Sequence, residues 1–171
     1  MKRLILMRHA KTEPWTEGVD DHGRGLMPSG REEAKKVAHM LRQKGWRPDL
    51  VLASTARRTR ETLALLSGVL PECDFRFNDD LYLATDRGIT DILDSLKEAG
   101  CIMLIGHNPG LHDLCIRMVR EGGASDQQAM TRLAQELPTG AAALFETKEE
   151  APFATHAFSL AGFINPRDLS G

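Results

Sequence analysis

The sequence predicts a three-layer α/β sandwich, in which helices cover both faces of a mostly parallel central sheet. Short apolar runs of strand length alternate with segments whose apolar residues recur at intervals of three and four. This strand-helix alternation is typical of parallel sheets whose strands are buried on both faces. The length of 171 residues suits one domain with a sizeable core, so we expect a single domain over residues 1–171.

The first half of the chain alternates strands and helices. Three short apolar runs predict strands at residues 4–7, 50–53 and 75–77. Ser29 and Glu32 have the spacing of a capping box, which predicts a helix that starts there and ends near Gly45. A second helix is expected over residues 55–67.

The second half continues the alternation and ends in strands. Apolar residues recur at helical spacing from Ile89 to Leu96 and from Leu111 to Met118, on either side of an apolar strand run at residues 101–105. A polar helix is expected at residues 125–137. Two further strands are predicted at residues 141–145 and 154–160, with turns at residues 138–140 and 149–152.

Two of the predicted strands end in histidine. Arg8 and His9 follow the first strand, and Gly106 and His107 follow the strand at residues 101–105, just before an Asn-Pro-Gly turn. Ligands of open α/β sheets bind outside the carboxyl ends of the strands. Both histidines are therefore candidate site residues, and a polar strand end that meets solvent is the alternative.

An arginine-rich segment follows the second strand. Arg57, Arg58 and Arg60 lie just after Ser54, where the predicted helix begins. The free amides of a helix N-terminus favour anions, and a guanidinium is a planar fork of donors that fits phosphate oxygens. The alternative is a solvated basic helix face. No G-x-S-x-G elbow surrounds Ser54, so we interpret it as a loop or N-cap residue and not as a nucleophile.

Together these three segments resemble the signature of the histidine phosphatase superfamily. That signature is RHG or RHA, then SxxxRxxxT, then a late GH. The matching residues are Arg8, His9 and Ala10, then Ser54, Arg58 and Thr62, then Gly106 and His107. The likeness spans residues 3–120, and the RHAK motif that ends at Lys11 is similar to that of the short SixA-type phosphohistidine phosphatases. The resemblance implies a phosphoglycerate mutase-like fold and phosphatase activity.

The resemblance also assigns roles to the first site residues. His9 is expected to attack phosphorus and to carry the phosphoryl group, while Arg8 and Arg58 bind the nonbridging oxygens. Their positive charges should lower the pKa of His9 and keep its ring neutral near pH 7. The SxxxR spacing selects Arg58 over Arg57, which points from another face of the helix. A contribution of Arg57 to the positive potential of the pocket is the alternative that the spacing leaves open.

Three further residues complete the expected binding site. By the resemblance, His107 stabilises the phosphoryl group in the transition state, and a histidine bonded to backbone is the alternative. Asn108 could supply an amide donor, and a simple turn former is equally consistent with its position. Lys11 is expected at the mouth of the pocket.

The general acid is the least defined member of the site. Longer superfamily members use a carboxylic acid to protonate the leaving oxygen, and the matching stretch here offers Asp80 first and Asp79 second. Paired aspartates at a strand end are also typical of a turn. A missing acid would favour phosphohistidine substrates, because the imidazole of a phosphoramidate can leave with less help from a proton donor.

Charge and cysteine content narrow the function classes. The net charge of −2 gives no reason to expect nucleic acid or an anionic membrane as a partner. The three cysteines show no CxxC or Cys/His spacing, so neither a disulfide framework nor a zinc site is predicted, and no cofactor is implied. The apolar run after Arg3 is too short for a signal peptide or a membrane span, which favours the cytoplasm.

The leading hypothesis is a cytoplasmic phosphatase that acts on protein phosphohistidine through a covalent intermediate on His9. A phosphatase for small phosphomonoesters and a non-catalytic phosphate-binding module are the alternatives. A mutase is less favoured, because the short chain offers little to shield the intermediate from water. The oligomeric state is open. Residues 13–25, which include His22, are expected to form a flexible segment at the pocket entrance.

Overall fold

A computed structural model describes residues 1–70, 72–97 and 100–169. Its strands are β1 (Arg3–Arg8), β2 (Leu50–Ser54), β3 (Asp74–Asn78), β4 (Cys101–Gly106), β5 (Ala142–Glu146) and β6 (Ser159–Ile164). They form one six-stranded sheet in the spatial order β3, β2, β4, β1, β5, β6. β1, β2, β3 and β4 run parallel, whereas β5 and β6 pair antiparallel. The prediction of a mostly parallel sheet is confirmed.

Helices cover both faces of this sheet. They are α1 (Pro28–Gln43), α2 (Arg57–Ser67), α3 (Asp86–Ser95), α4 (Gly110–Gly122) and α5 (Gln127–Gln135). Successive side chains of β1 separate the layers, since Leu4 and Leu6 pack with α3, α4 and α5, whereas Ile5 and Met7 pack with α1 and α2. The predicted three-layer α/β sandwich is therefore confirmed. Within the described ranges, no helix is long and apolar enough to cross a membrane.

Helix α1 begins one residue before the predicted capping box, and the box does not form. Met27 is the N-cap residue and makes no capping bond through its side chain. Pro28 occupies the first turn, where its fixed φ and its missing N–H are tolerated. Glu32 pairs with Lys35 instead of capping the helix. Gly45 follows the helix with φ at +73°, a left-handed conformation that glycine adopts readily.

The last strand begins later than the sequence predicts. The first half of the predicted strand at residues 154–160 is wrong, because Thr155–Ala157 form a 3-10 turn. This turn lies against the end of α4, where Gly122 approaches so closely that a Cβ would be 1.8 Å from the carbonyl oxygen of Phe158. Because Gly122 has no side chain, the backbone of this turn can pack directly on the helix. His156 consequently lies in a turn and not on a strand.

Candidate active site

A cavity lies where the carboxyl ends of β1, β2 and β4 meet. In the parallel pairing Arg8 is opposite Gly106 and Ala53 is opposite Ile105, so residues that follow these three strands become neighbours. The cavity has a volume of about 410 Å³. Its lining residues are Arg8, His9, Thr12, Asp21, Arg24, Arg58, Leu83, His107, Asn108 and Thr139. The fold thus brings five of the residues proposed from the sequence to one place.

His9 is buried and carries its ring proton on Nδ1. Nδ1 lies 2.8 Å from the carbonyl oxygen of Ala10, which can only accept a hydrogen bond. The neutral ring therefore donates from Nδ1 and leaves the Nε2 lone pair free. Burial is the main reason that the pKa of His9 is lowered to about 3, and the charges of Arg58 and Arg8 contribute less to this decrease. The expected direction is correct, but loss of hydration, and not the arginines, is the main cause.

The loop that carries His9 is anchored to helix α2. The amide of Ala10 donates to Thr62 Oγ1 at 3.1 Å, and the Thr62 hydroxyl donates to the carbonyl oxygen of Arg58 at 2.7 Å. The amide of His9 also donates to the carbonyl oxygen of Gly106, at 3.2 Å. The carbonyl group of Ala10 determines the tautomer of the His9 ring. Hydrogen bonds to α2 and to the end of β4 hold the backbone around this carbonyl group in place.

Three arginines contribute donors to the cavity. Arg58 is buried, and its two terminal nitrogens donate to the carbonyl oxygen of Asp21 at 2.7 Å and to the Asp21 carboxylate at 3.0 Å. Among the residues that the structure describes, the buried Nε atoms of Arg8, Arg24 and Arg58 have no hydrogen-bond partner. Arg57 lies outside the cavity, where it pairs with Glu61 at 2.9 Å. The arginine selected by the SxxxR spacing is the one inside.

His107 closes the opposite side of the cavity from its position after β4. Its ring centroid is 5.4 Å from that of His9, and its Nε2 lies 2.8 Å from Ser54 Oγ. Burial, followed by the charge of Arg58, lowers the pKa of His107 to about 4. The side-chain amide of Asn108 donates to the carbonyl oxygen of Leu137 at 2.9 Å, so one of its donors serves the backbone.

Asp21 and Tyr82 are site residues that the sequence interpretation missed. The Asp21 carboxylate accepts from the Tyr82 hydroxyl as well as from Arg58, and these bonds lower the pKa of Asp21. The Tyr82 ring lies edge-on to the rings of both His22 and His107. The segment at residues 13–25, for which the sequence predicts a flexible entrance, is attached to the site through Asp21 in the turn Asp21–Gly23. The sequence could not predict the bond between Asp21 and Arg58, because Arg58 lies 37 residues after Asp21 and no local pattern connects the two.

The candidate general acids lie outside the cavity. Asp79 and Asp80 are exposed and form part of a 3-10 turn, in which the Asp80 amide donates to Asn78 Oδ1. This is the strand-end turn that the sequence offered as the alternative. Lys11 is also exposed and does not line the cavity. Over the described ranges, no group of three or more His, Cys, Asp or Glu side chains could hold a metal ion.

We expect the stability of the fold to decrease between pH 7 and pH 5, because His9 and His107 are neutral in the folded state. The unfolded chain binds a proton at each histidine below about pH 6.5, whereas the folded pKa values are about 3 and about 4. The unfolded state therefore binds more protons, and stability is lost as the pH falls from about 6.5 toward these folded values. The expected loss at pH 5 is about 2 kcal/mol per histidine.

Urea unfolding of the protein at pH 7 and pH 5 measures this loss directly. The His9→Gln variant should show about half of the pH dependence, because one of the two depressed histidines is gone. Equal free energies of unfolding at the two pH values would contradict the expectation.

Comparisons with known proteins agree with this geometry. The model of the histidine phosphatase superfamily (branch 1) matches residues 4–82. An uncharacterized chloroplastic protein of Arabidopsis thaliana is 37% identical over 122 residues, which cover 64% of this chain and 55% of that protein. This chain thus spans about half the length of that relative. An uncharacterized protein of Mycobacterium tuberculosis is 31% identical over 163 residues, which cover 94% of this chain and 100% of the relative.

The likeness extends to three dimensions. The crystal structure of the candidate phosphohistidine phosphatase SixA from Agrobacterium tumefaciens matches with a TM-score of 0.82 and 28% sequence identity. The match covers 96% of this chain and 98% of that one.

Proposed function

This chain belongs to the histidine phosphatase superfamily, in its SixA-type branch, and from that premise we propose that it dephosphorylates protein phosphohistidine through a covalent phosphohistidine on His9. The observation that carries the proposal is the state of the His9 ring. A buried, neutral imidazole whose Nδ1 proton is held by Ala10 has one lone pair to offer, at Nε2, beside a set of arginine donors. We further propose that residues 1–171 form a single domain.

The first step transfers the phosphoryl group to the protein. The Nε2 lone pair of His9 forms a bond to phosphorus while the bond between phosphorus and the substrate ring breaks. The substrate ring, protonated from solvent on its other nitrogen before transfer, keeps the electron pair of the broken bond and departs as neutral imidazole. Arg8 and Arg58 stabilise the charge that spreads over the nonbridging oxygens. Asp21 accepts one hydrogen bond from each terminal nitrogen of Arg58, so the Nε–H and the second proton of each terminal nitrogen remain as donors for the incoming anion.

The second step regenerates the protein. A water molecule attacks the phosphorus of the His9 adduct, the bond between phosphorus and Nε2 breaks, and inorganic phosphate leaves. His9 keeps its Nδ1 proton throughout, because the carbonyl oxygen of Ala10 accepts it in every state of the ring. The same arginines stabilise both transition states, so no rearrangement of the site is needed between the steps.

The ionisation state of the carboxyl group in the cavity supports phosphohistidine as the substrate. Asp21 is the one carboxyl group among the described lining residues, and its bonds to Tyr82 and Arg58 keep it ionised by lowering its pKa. An ionised carboxylate cannot protonate an alkoxide. A phosphohistidine ring that solvent has protonated on its other nitrogen leaves as neutral imidazole, a much weaker base than an alkoxide. An N–P bond can therefore break in this cavity without an acid from the protein, which an ester requires.

Competing substrates test this proposal. A protein phosphorylated on histidine should be turned over with a kcat/KM at least about a hundredfold above that of a phosphoserine peptide, because general acid catalysis contributes roughly that much or more to ester cleavage. Equal or faster turnover of the ester would overturn the phosphohistidine assignment and favour small phosphomonoesters. Tight binding of vanadate without hydrolysis of either substrate would favour a phosphate-binding module.

A further inference from the structure

We propose that Ser54 is a positioning residue that fixes the tautomer of His107. Its hydroxyl donates to His107 Nε2, so the ring proton resides on Nδ1 and is available to a phosphoryl oxygen in the cavity. The use of that proton rests on the proposed function. The tautomer itself follows from the geometry of two buried side chains.

The surroundings of Ser54 determine the direction of its hydrogen bond. Ser54 is the last residue of β2 and is fully buried, and its Oγ accepts from the amide of Ala56 at 3.3 Å. Its hydroxyl proton needs an acceptor. Within the described part of the chain, His107 Nε2, at 2.8 Å, is the acceptor that Oγ has within reach. If Nε2 were the donor instead, the Ser54 proton would be buried without a partner, which carries a free-energy cost.

The other ring nitrogen of His107 gives independent support. Nδ1 is buried, and no described residue forms a hydrogen bond with it. His107 lines the cavity, and a buried polar atom without a partner in such a residue is best explained by a ligand that completes it. With the proton on Nδ1 this atom is a donor that suits an anion. With the proton on Nε2 it would be a lone pair, which would repel phosphoryl oxygens.

The two histidines of the site then have different roles, because their rings are oriented toward different hydrogen-bond partners. Both rings carry the proton on Nδ1, but His9 directs it to the carbonyl oxygen of Ala10 and keeps Nε2 for attack. His107 directs Nε2 to Ser54 and keeps Nδ1–H for the ligand. One tautomer, held by two different partners, thus produces a nucleophile at His9 and a hydrogen-bond donor at His107.

NMR of the full chain, labelled with ¹⁵N at histidine, reads this tautomer without substrate or turnover. The wild type should show protonated Nδ1 and unprotonated Nε2 at His107. Ser54→Ala should shift the ring toward the Nε2–H tautomer and raise the Kd for vanadate roughly tenfold, because a bond to a charged ligand is lost. Ser54→Thr keeps the hydroxyl group, so its His107 tautomer and its Kd for vanadate should match those of the wild type.

Thr59→Val is the matched control for the loss of a buried hydroxyl in the same region. The Thr59 hydroxyl donates to the carbonyl oxygens of Ser54 and Ala56 and does not contact His107. Its removal should leave the His107 tautomer and the vanadate Kd unchanged, even if the protein becomes less stable.

Two results would overturn the inference. One is a proton on Nε2 of His107 in the wild type, a measurement that does not depend on any variant folding. The other is a Ser54→Ala protein whose tautomer and vanadate Kd are both unchanged. If His107 carries its proton on Nδ1 but the protein hydrolyses no phosphorylated substrate, the proposed function fails while the tautomer assignment stands.

Discussion

Replacing His9 with alanine is expected to lower kcat on a phosphohistidine protein by roughly 10⁴-fold or more. In the proposed mechanism the variant loses the lone pair that forms the covalent bond, so the arginines and His107 would bind a phosphoryl group with no protein atom to receive it. Transfer from a ³²P-labelled phosphohistidine protein should label the wild type with acid-labile phosphate. The alanine variant should show no label.

His39→Ala is the matched control, because His39 is exposed on α1 and lies outside the cavity. It should label and turn over as the wild type does. Acid-labile label that persists in the His9→Ala protein would contradict the assignment of the nucleophile. Loss of the label in His39→Ala as well would show that the assay reports folding and not chemistry.

The arrangement of the sheet could be predicted because strands buried on both faces leave a continuous apolar signal. β1 and β4 are covered by helices on either side, so their sequences contain uninterrupted apolar runs that end abruptly at Arg8 and Gly106. Parallel strands share the edge at which they end. The proximity of His9 and His107 follows from those two facts before any side chain is placed.

The polar contacts of the site could not be predicted in the same way. Asp21 belongs to the cavity through bonds to Arg58 and Tyr82, and no periodicity links it to either partner. For Asp80 the sequence was misleading in the opposite direction. Its sequence context resembles that of a catalytic general acid, but its backbone amide donates to Asn78 in a turn at the surface. A motif indicates which residue types a site needs, but the tertiary contacts decide which carboxyl reaches it.

The main cause of the low His9 pKa also could not be predicted from the sequence. Charged neighbours can be read from a motif, because Arg8 is adjacent and Arg58 is part of a spacing pattern. The extent of burial cannot, since it depends on how completely the surrounding segments cover the ring. In this site burial has the larger effect on the pKa of both His9 and His107.

Arg58→Ala is expected to lower kcat by roughly 10²- to 10³-fold, whereas Arg57→Ala should change it by less than about twofold. The two residues are adjacent in sequence and identical in type, but Arg58 is 2% exposed inside the cavity, whereas Arg57 pairs with Glu61 at the surface. Removal of a preorganised donor from a water-poor site costs far more than removal of a solvated charge. Steady-state kinetics on a phosphohistidine protein, together with vanadate binding, measure both effects.

Arg58→Lys separates the charge of this side chain from its shape. In the free protein the two terminal nitrogens of Arg58 bind two oxygens of Asp21, and the same fork can bind two phosphoryl oxygens. Lysine offers one point charge in place of the fork, so its kcat should lie between those of the wild type and the alanine variant. A lysine variant as active as the wild type would show that charge alone suffices. Equal losses in Arg57→Ala and Arg58→Ala would contradict the assignment of Arg58, because a residue outside the cavity would then matter as much as the one within it.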